Sequence, residues 1–187
     1  MKIEWHIGTD DIARVKELIR KRSNNAFVRR RMARNLAQLK PHVEREKFWF
    51  QMVGMRLTSV QRSGPESHVA RFIRTVSFPL AYELVCGEAD MEEFIGYALK
   101  TAGGIRFGET IAFQLAANLH RLEEGEWTTA LQQCNRLTQP VTPTTEKEVA
   151  DYIDDTFDGF GPKQSRNLLQ ALGLTLYEIP IDRRSSR

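Results

Sequence analysis

Apolar residues recur along this chain at the three- and four-residue spacing of a helix face almost from end to end. Ile12, Val15, Leu18 and Ile19 make one stripe behind the capping candidates Thr9 and Asp10; Val28, Met32, Leu36 and Leu39 make a second that stops before Pro41. A third helix is expected from about Val43 to Ser59, ended by Ser63-Gly64-Pro65, and a short fourth from Glu66 to Thr75, stopping before Phe78-Pro79. Asp90-x-x-Glu93 and Thr145-x-x-Glu148 read as capping boxes opening further helices, and Phe107 to Leu122 and Trp127 to Leu137 keep the same period. QPVTPTT at 139–145 is a connecting loop. Strand signals are confined to LYEIPID at 176–182, which looks extended in part because Ile179 precedes Pro180. The pattern predicts an all-α protein.

Composition narrows the class. With 187 residues, 41% apolar and 27% charged, the chain can bury one sizeable core or two small ones around a shared middle. No apolar run approaches the ~18 residues of a membrane span, and MKIEWHIGTDD lacks the apolar stretch of a signal peptide, so a cytoplasmic or nucleoid location and no membrane partner are expected. Cys86 and Cys134 are too few for a zinc or iron–sulfur site without outside ligands, and His6, His42, His68 and His120 show no metal-ligand spacing. Two free thiols and no metal cofactor are expected.

Net charge is only +3, yet seven of the fifteen residues from Arg20 to Arg34 are basic and none is acidic. Such a run is either a solvated helix pair or one wall of a phosphate-binding surface. Phe48, Trp49 and Phe50 are consecutive and cannot share one helix face, so at least one belongs to the core; Phe107 and Phe113 are expected in the core as well.

The stretch FDGFGPKQSRNLLQALG at 157–173 carries the chemistry. A helix over Thr145 to Thr156 is broken by Gly159-Phe160-Gly161, and Pro162 suits the first turn of the next helix. The glycines permit positive φ and close backbone approach, so the amides opening the second helix can face a phosphate. A dinucleotide-binding loop is excluded because Gln164 stands where the third glycine would fall and because a helix, not a strand, precedes it; no GxxxxGK exists for a P-loop.

Phe157-x-Gly159-Phe160-Gly161-Pro162-Lys163, with small Ser165 beyond it and Asp182 nineteen residues after the lysine, resembles the helix-hairpin-helix and Gly/Pro-Asp signature of the base-excision DNA glycosylases, a superfamily that includes 8-oxoguanine DNA glycosylase and endonuclease III. MRLTSVQRS at 55–63 is similar to the segment of endonuclease III relatives whose glutamine enters the space left by an extruded base, which falls on Gln61 with Arg62 as its neighbour. AGGIRFGETIAFQLAANL at 102–119 is a looser match to a glycine turn and helix of that family. The matches span about residues 45 to 182.

The resemblance implies a helical barrel at 39–138, a second helical layer formed by N-terminal helices at 1–38, and the hairpin with its aspartate at 139–187. It implies a bifunctional glycosylase and abasic-site lyase acting on double-stranded DNA with damaged bases, an oxidised purine such as 8-oxoguanine being the preferred substrate. Lys163 would attack the sugar C1′ and form a Schiff base; because a lysine near its ordinary ~10.4 is a poor nucleophile, partly desolvated surroundings are expected. Asp182 would stabilise the oxocarbenium-like sugar and assist proton movements. Gln61 and Arg62, with Gly159, Phe160, Gly161 and Ser165, would contact DNA, and the main chain at Phe157 and Gly159 offers a place for a cation. The alternative is a noncatalytic or inactive helix-hairpin-helix DNA-binding protein. Only RRSSR follows Asp182, so the closing helices that the family carries are expected to be missing and the apolar faces of the first two helices uncovered. Oligomeric state is left open.

Overall fold

The computed structural model describes residues 7–37, 39–59 and 61–180. Ten α-helices run through them with no strand among the described residues: α1 (Thr9–Arg22), α2 (Ala26–Asn35), α3 (Arg45–Leu57), α4 (His68–Ile73), α5 (Tyr82–Val85), α6 (Met91–Ala102), α7 (Gly108–Arg121), α8 (Trp127–Arg136), α9 (Pro143–Thr156) and α10 (Pro162–Leu172). The protein is all-α, as its apolar period predicts. Among the described residues no helix is long and apolar enough to cross a membrane.

Local chemistry sets the helix ends. Asp90 accepts the Glu93 amide at 2.9 Å, as the first capping box predicts. The second is displaced: Thr142, not Thr145, is the N-cap of α9, accepting the Thr145 amide at 3.1 Å, and Pro143 takes the first helical position, so the helix absorbs the end of the expected loop. Likewise α1 is capped by Gly8, whose amide donates to Asp11 at 3.1 Å, and Thr9 is already helical. The third helix is two residues shorter at each end than its apolar run suggests. A π-turn over Leu122–Glu126 joins α7 to α8, with Gly125 at φ +128°.

The central element is α3. Phe48, Trp49, Met52, Val53 and Leu57 are fully buried, and the helix packs against α5, α7 and α10. Trp49 buries its ring and donates its indole N–H to the Leu80 carbonyl at 2.9 Å, while Phe50 is half-buried edge-on to Phe78. One apolar cluster extends from Val43 to Leu174, so the expected barrel and the hairpin share a core. The expectation fails for Phe107 and Phe113, which are 50% and 57% exposed. Ile111, Ala112, Leu115, Ala116 and Leu119 supply the buried face of α7 instead, and Phe113 lies off it.

Two polar knots tie α2 and the segment after α10 to this core. Fully buried Glu146 in α9 accepts the backbone amides of Leu176, Tyr177 and Glu178 at 2.8, 3.0 and 2.9 Å. Those residues are therefore held by a carboxylate, and the expected extended LYEIPID makes no sheet in its described part, 176–180; Ile181 and Asp182 lie outside the described residues. Buried Asn35 in α2 donates to the Gln170 carbonyl and accepts from the amide and hydroxyl of Thr175, fastening α2 to the end of α10. By contrast α1 contains no buried residue, and Ile12, Val15, Leu18 and Ile19 all stand open to solvent.

Two outcomes test this packing. Glu146→Gln places an amide N–H against one or more donors and should cost about 2–4 kcal/mol in urea unfolding, with early proteolysis near Tyr177; an unchanged midpoint would contradict the knot. Burial raises the Cys134 thiol to about 12, whereas Cys86 is only half-buried. A disulfide reagent at pH 8 should therefore titrate Cys86 in the folded protein and Cys134 only after unfolding.

Candidate nucleic-acid interface

The junction of α9 and α10 is a tight hairpin pinned from three directions. Phe157 and Phe160 turn their rings inward, Phe157 lying 5.8 Å from Phe48 and 6.1 Å from Tyr152 between ring centres, so the turn's backbone is left at the surface. Asn118 of α7 makes a reciprocal pair with Asp158, accepting its amide at 2.7 Å and donating to its carbonyl at 3.0 Å. Gln164 donates to the Met55 carbonyl at 3.0 Å. Beneath the turn, Arg56 of α3 donates to the Gly159 carbonyl and to Gln114 Oε1.

Arg56 is only 8% exposed, no carboxylate pairs with it among the described residues, and its Nε has no partner. Burial lowers its pKa from the ordinary arginine value, although a guanidinium stays charged. The positive charge thus lies directly behind the turn. Gly159 makes this possible: its φ is +77°, and a Cβ there would fall 2.5 Å from Arg56 Cζ. The expected main-chain cation place at Phe157 and Gly159 is corrected by the same contact, because the Gly159 carbonyl already faces a cation, and the Phe157 carbonyl accepts the Phe160 amide at 3.2 Å.

Gly161 is different in kind. It is the N-cap of α10 in ordinary extended backbone, φ −111° and ψ −174°, no side chain among the described residues caps the helix there, and a Cβ would meet nothing among them within 4 Å. Neither conformation nor packing inside the protein requires a glycine. Pro162 and Lys163 follow as the first two helical residues, both exposed, so the first turn of α10 directs its amide dipoles outward. The desolvated surroundings expected for Lys163 are not formed by the described residues, and Asp182 lies outside them. Ser165 is fully buried, with its hydroxyl donating to the Pro162 carbonyl at 3.2 Å; Phe160 is 5% exposed. These two side chains build the hairpin from within, so a ligand contact at either position falls to its backbone.

Gln61 stands at the same end of α3, where Met55 and Arg56 go to the hairpin and Leu57 to Gln61. Its Nε2 donates to the Leu57 carbonyl at 2.6 Å and its Oε1 accepts the Arg106 amide at 2.9 Å. Beside it opens a cleft of about 840 Å³ whose wall includes exposed Arg62, His68, Gly104 and Arg106; Lys163 does not line it. Gln61 is thus an engaged strut, and entering DNA would require exchanging both hydrogen bonds.

The basic run divides by role. Arg31 and Arg34 are half-buried and donate to the side chain and carbonyl of Gln170, whereas Arg20, Lys21, Arg22, Arg29 and Arg30 remain exposed. Sequence reading missed Arg56, Gln114 and Asn118; the only available signal was a charge and two amides inside apolar helix runs. Among the described residues no group of three or more histidines, cysteines or carboxylates could hold a metal ion. Comparison of the chain with protein-family models, with curated proteins and with solved structures finds no match.

The two glycines separate cleanly by substitution. Gly159→Ala forces an alanine into the left-handed region against Arg56 and should cost roughly 2 kcal/mol or more, whereas Gly161→Ala should stay within about 0.5 kcal/mol of the parent in thermal unfolding. Equal effects would refute the geometry given for the turn.

Proposed function

We propose that this protein binds damaged double-stranded DNA through the α9–α10 hairpin and acts on it as a base-excision glycosylase and abasic-site lyase. The observation that carries the reading is the first turn of α10 beside Gly161, which no side chain caps among the described residues; packing among those residues does not need this glycine, and it would let a phosphate approach the backbone. The resemblance of this turn, with Lys163, to the glycosylase signature supplies the chemistry. Arg56 supports it electrostatically, since a buried positive charge behind the hairpin gains from an anion in front.

In that reaction the Lys163 amine bonds to C1′ as the glycosidic bond breaks and the base leaves with its bonding electrons, to be protonated. Loss of the proton from Nζ and opening of the sugar give the imine; removal of a C2′ proton then expels the 3′ phosphate by β-elimination. Bound DNA would desolvate the exposed Lys163, and Asp182 would serve as its electrostatic and proton-transfer partner. An oxidised purine such as 8-oxoguanine is the preferred base. The exposure of Lys163 and its absence from the cleft beside Gln61 favour the second reading, a helix-hairpin-helix protein that binds DNA without chemistry.

Borohydride trapping on duplexes carrying an abasic site or oxidised bases decides between them. The glycosylase reading expects a covalent adduct with the parent chain and none with Lys163→Gln; binding by both chains without an adduct leaves the noncatalytic reading. Gly161→Ala should weaken duplex binding about tenfold while leaving the protein folded, and failure of the parent chain to bind any duplex would remove both readings.

A further inference from the structure

A second cleft also has His68 in its wall. Its walls come from α4 and α6: His68, Arg71, Phe72 and Thr75 fall on one face of α4 and its end, and Phe94 and Ala98, which border the buried face of α6, are joined by the exposed Tyr97. Its volume is about 670 Å³, and it meets the 840 Å³ cleft beside Gln61 at His68, which lines both. Gly104 permits that junction, since a Cβ there would lie 2.4 Å from the His68 ring.

The joined clefts carry two kinds of group together. Arg62, Arg71 and Arg106 line them against a single carboxylate, Glu66, while Glu93, Glu109 and Lys100 line the neighbouring cleft that Tyr97 also borders. Flat rings accompany the guanidinium groups: Tyr97 is 71% exposed, Phe94 is half-buried, and Phe107, next to Arg106 in the chain, holds φ +60° with the Arg106 guanidinium 5.0 Å over its half-exposed ring. A tyrosine so open on a helix already supplied with a core face contributes little to packing. Excess positive charge selects a polyanion, and exposed rings select one that offers flat faces. A paired duplex hides its base faces within the stack, so the chemistry fits a single strand.

We propose that the joined clefts are a track for unpaired DNA, with phosphates on Arg62, Arg71 and Arg106 and a base stacked on Tyr97. This rests on the reading that the protein binds DNA, but it requires neither the hairpin chemistry nor Lys163. The track would take a frayed or displaced strand leaving a duplex held at the hairpin.

Fluorescence anisotropy with an oligothymidylate of about twelve nucleotides tests it beside an abasic duplex. The parent chain should bind the single strand with strong salt dependence; Tyr97→Ala and Arg71→Ala should each weaken that binding at least about fivefold, and Tyr97→Phe should restore it. Gly161→Ala should leave single-strand binding intact while weakening the duplex, which separates the two sites. The track is refuted if the single strand does not bind, whatever the duplex does, or if neither variant changes its affinity. Equal binding of polyglutamate with the same response to Tyr97→Ala would also overturn it, because the site would then read charge without bases.

Discussion

A guanidinium buried with no carboxylate paired to it among the described residues is the constraint around which the candidate interface is arranged. Arg56 leaves α3 among apolar neighbours and spends its donors on the carbonyl of Gly159 and the amide oxygen of Gln114. An unpaired buried charge is costly, and neutral acceptors offset only part of that cost. Its contacts demand a carbonyl turned inward, hence a left-handed residue at 159, hence a glycine. The reciprocal Asn118–Asp158 pair and the inward rings of Phe157 and Phe160 then fix the remaining freedom of the turn. What reaches the surface is mostly backbone, with Lys163 at its edge.

The interface and the joined clefts share one support. The last turn of α3 holds the hairpin through Met55 and Arg56 and holds Gln61 through the carbonyl of Leu57, while Gln61 in turn receives the amide of Arg106. Movement of the 61–68 segment would therefore be felt at the start of α7, and α7 carries Gln114 and Asn118 to the hairpin. Duplex at one face and single strand at the other would be read by one connected set of hydrogen bonds.

Much of the fold was legible because its punctuation is chemical. Asp90, Pro162 and the Gly159 turn announce their elements through one residue's own preferences, and the all-helical class follows from spacing alone. Thr145 misled because Thr142 with Pro143 is the stronger start and stands only three residues earlier. Phe107 and Phe113 misled because a large aromatic ring is a good core residue wherever space exists, and α7 fills its buried face with smaller aliphatic groups. The Gly159 hairpin and exposed Lys163 were visible as candidates, but Arg56, 103 positions before its carbonyl partner, was not. Burial of a charge depends on the whole fold, and no local pattern reports it.

The link from Asn35 to Thr175 spans 140 positions, and the Arg31 contact with Gln170 spans 139. During synthesis α2 emerges well before its polar partners at the end of α10. Until then the Arg31 and Arg34 guanidinium groups lack their Gln170 acceptors and remain hydrated. Closure of that long loop is an entropic cost deferred to a late stage of folding, so α2 should be among the last parts to acquire protection.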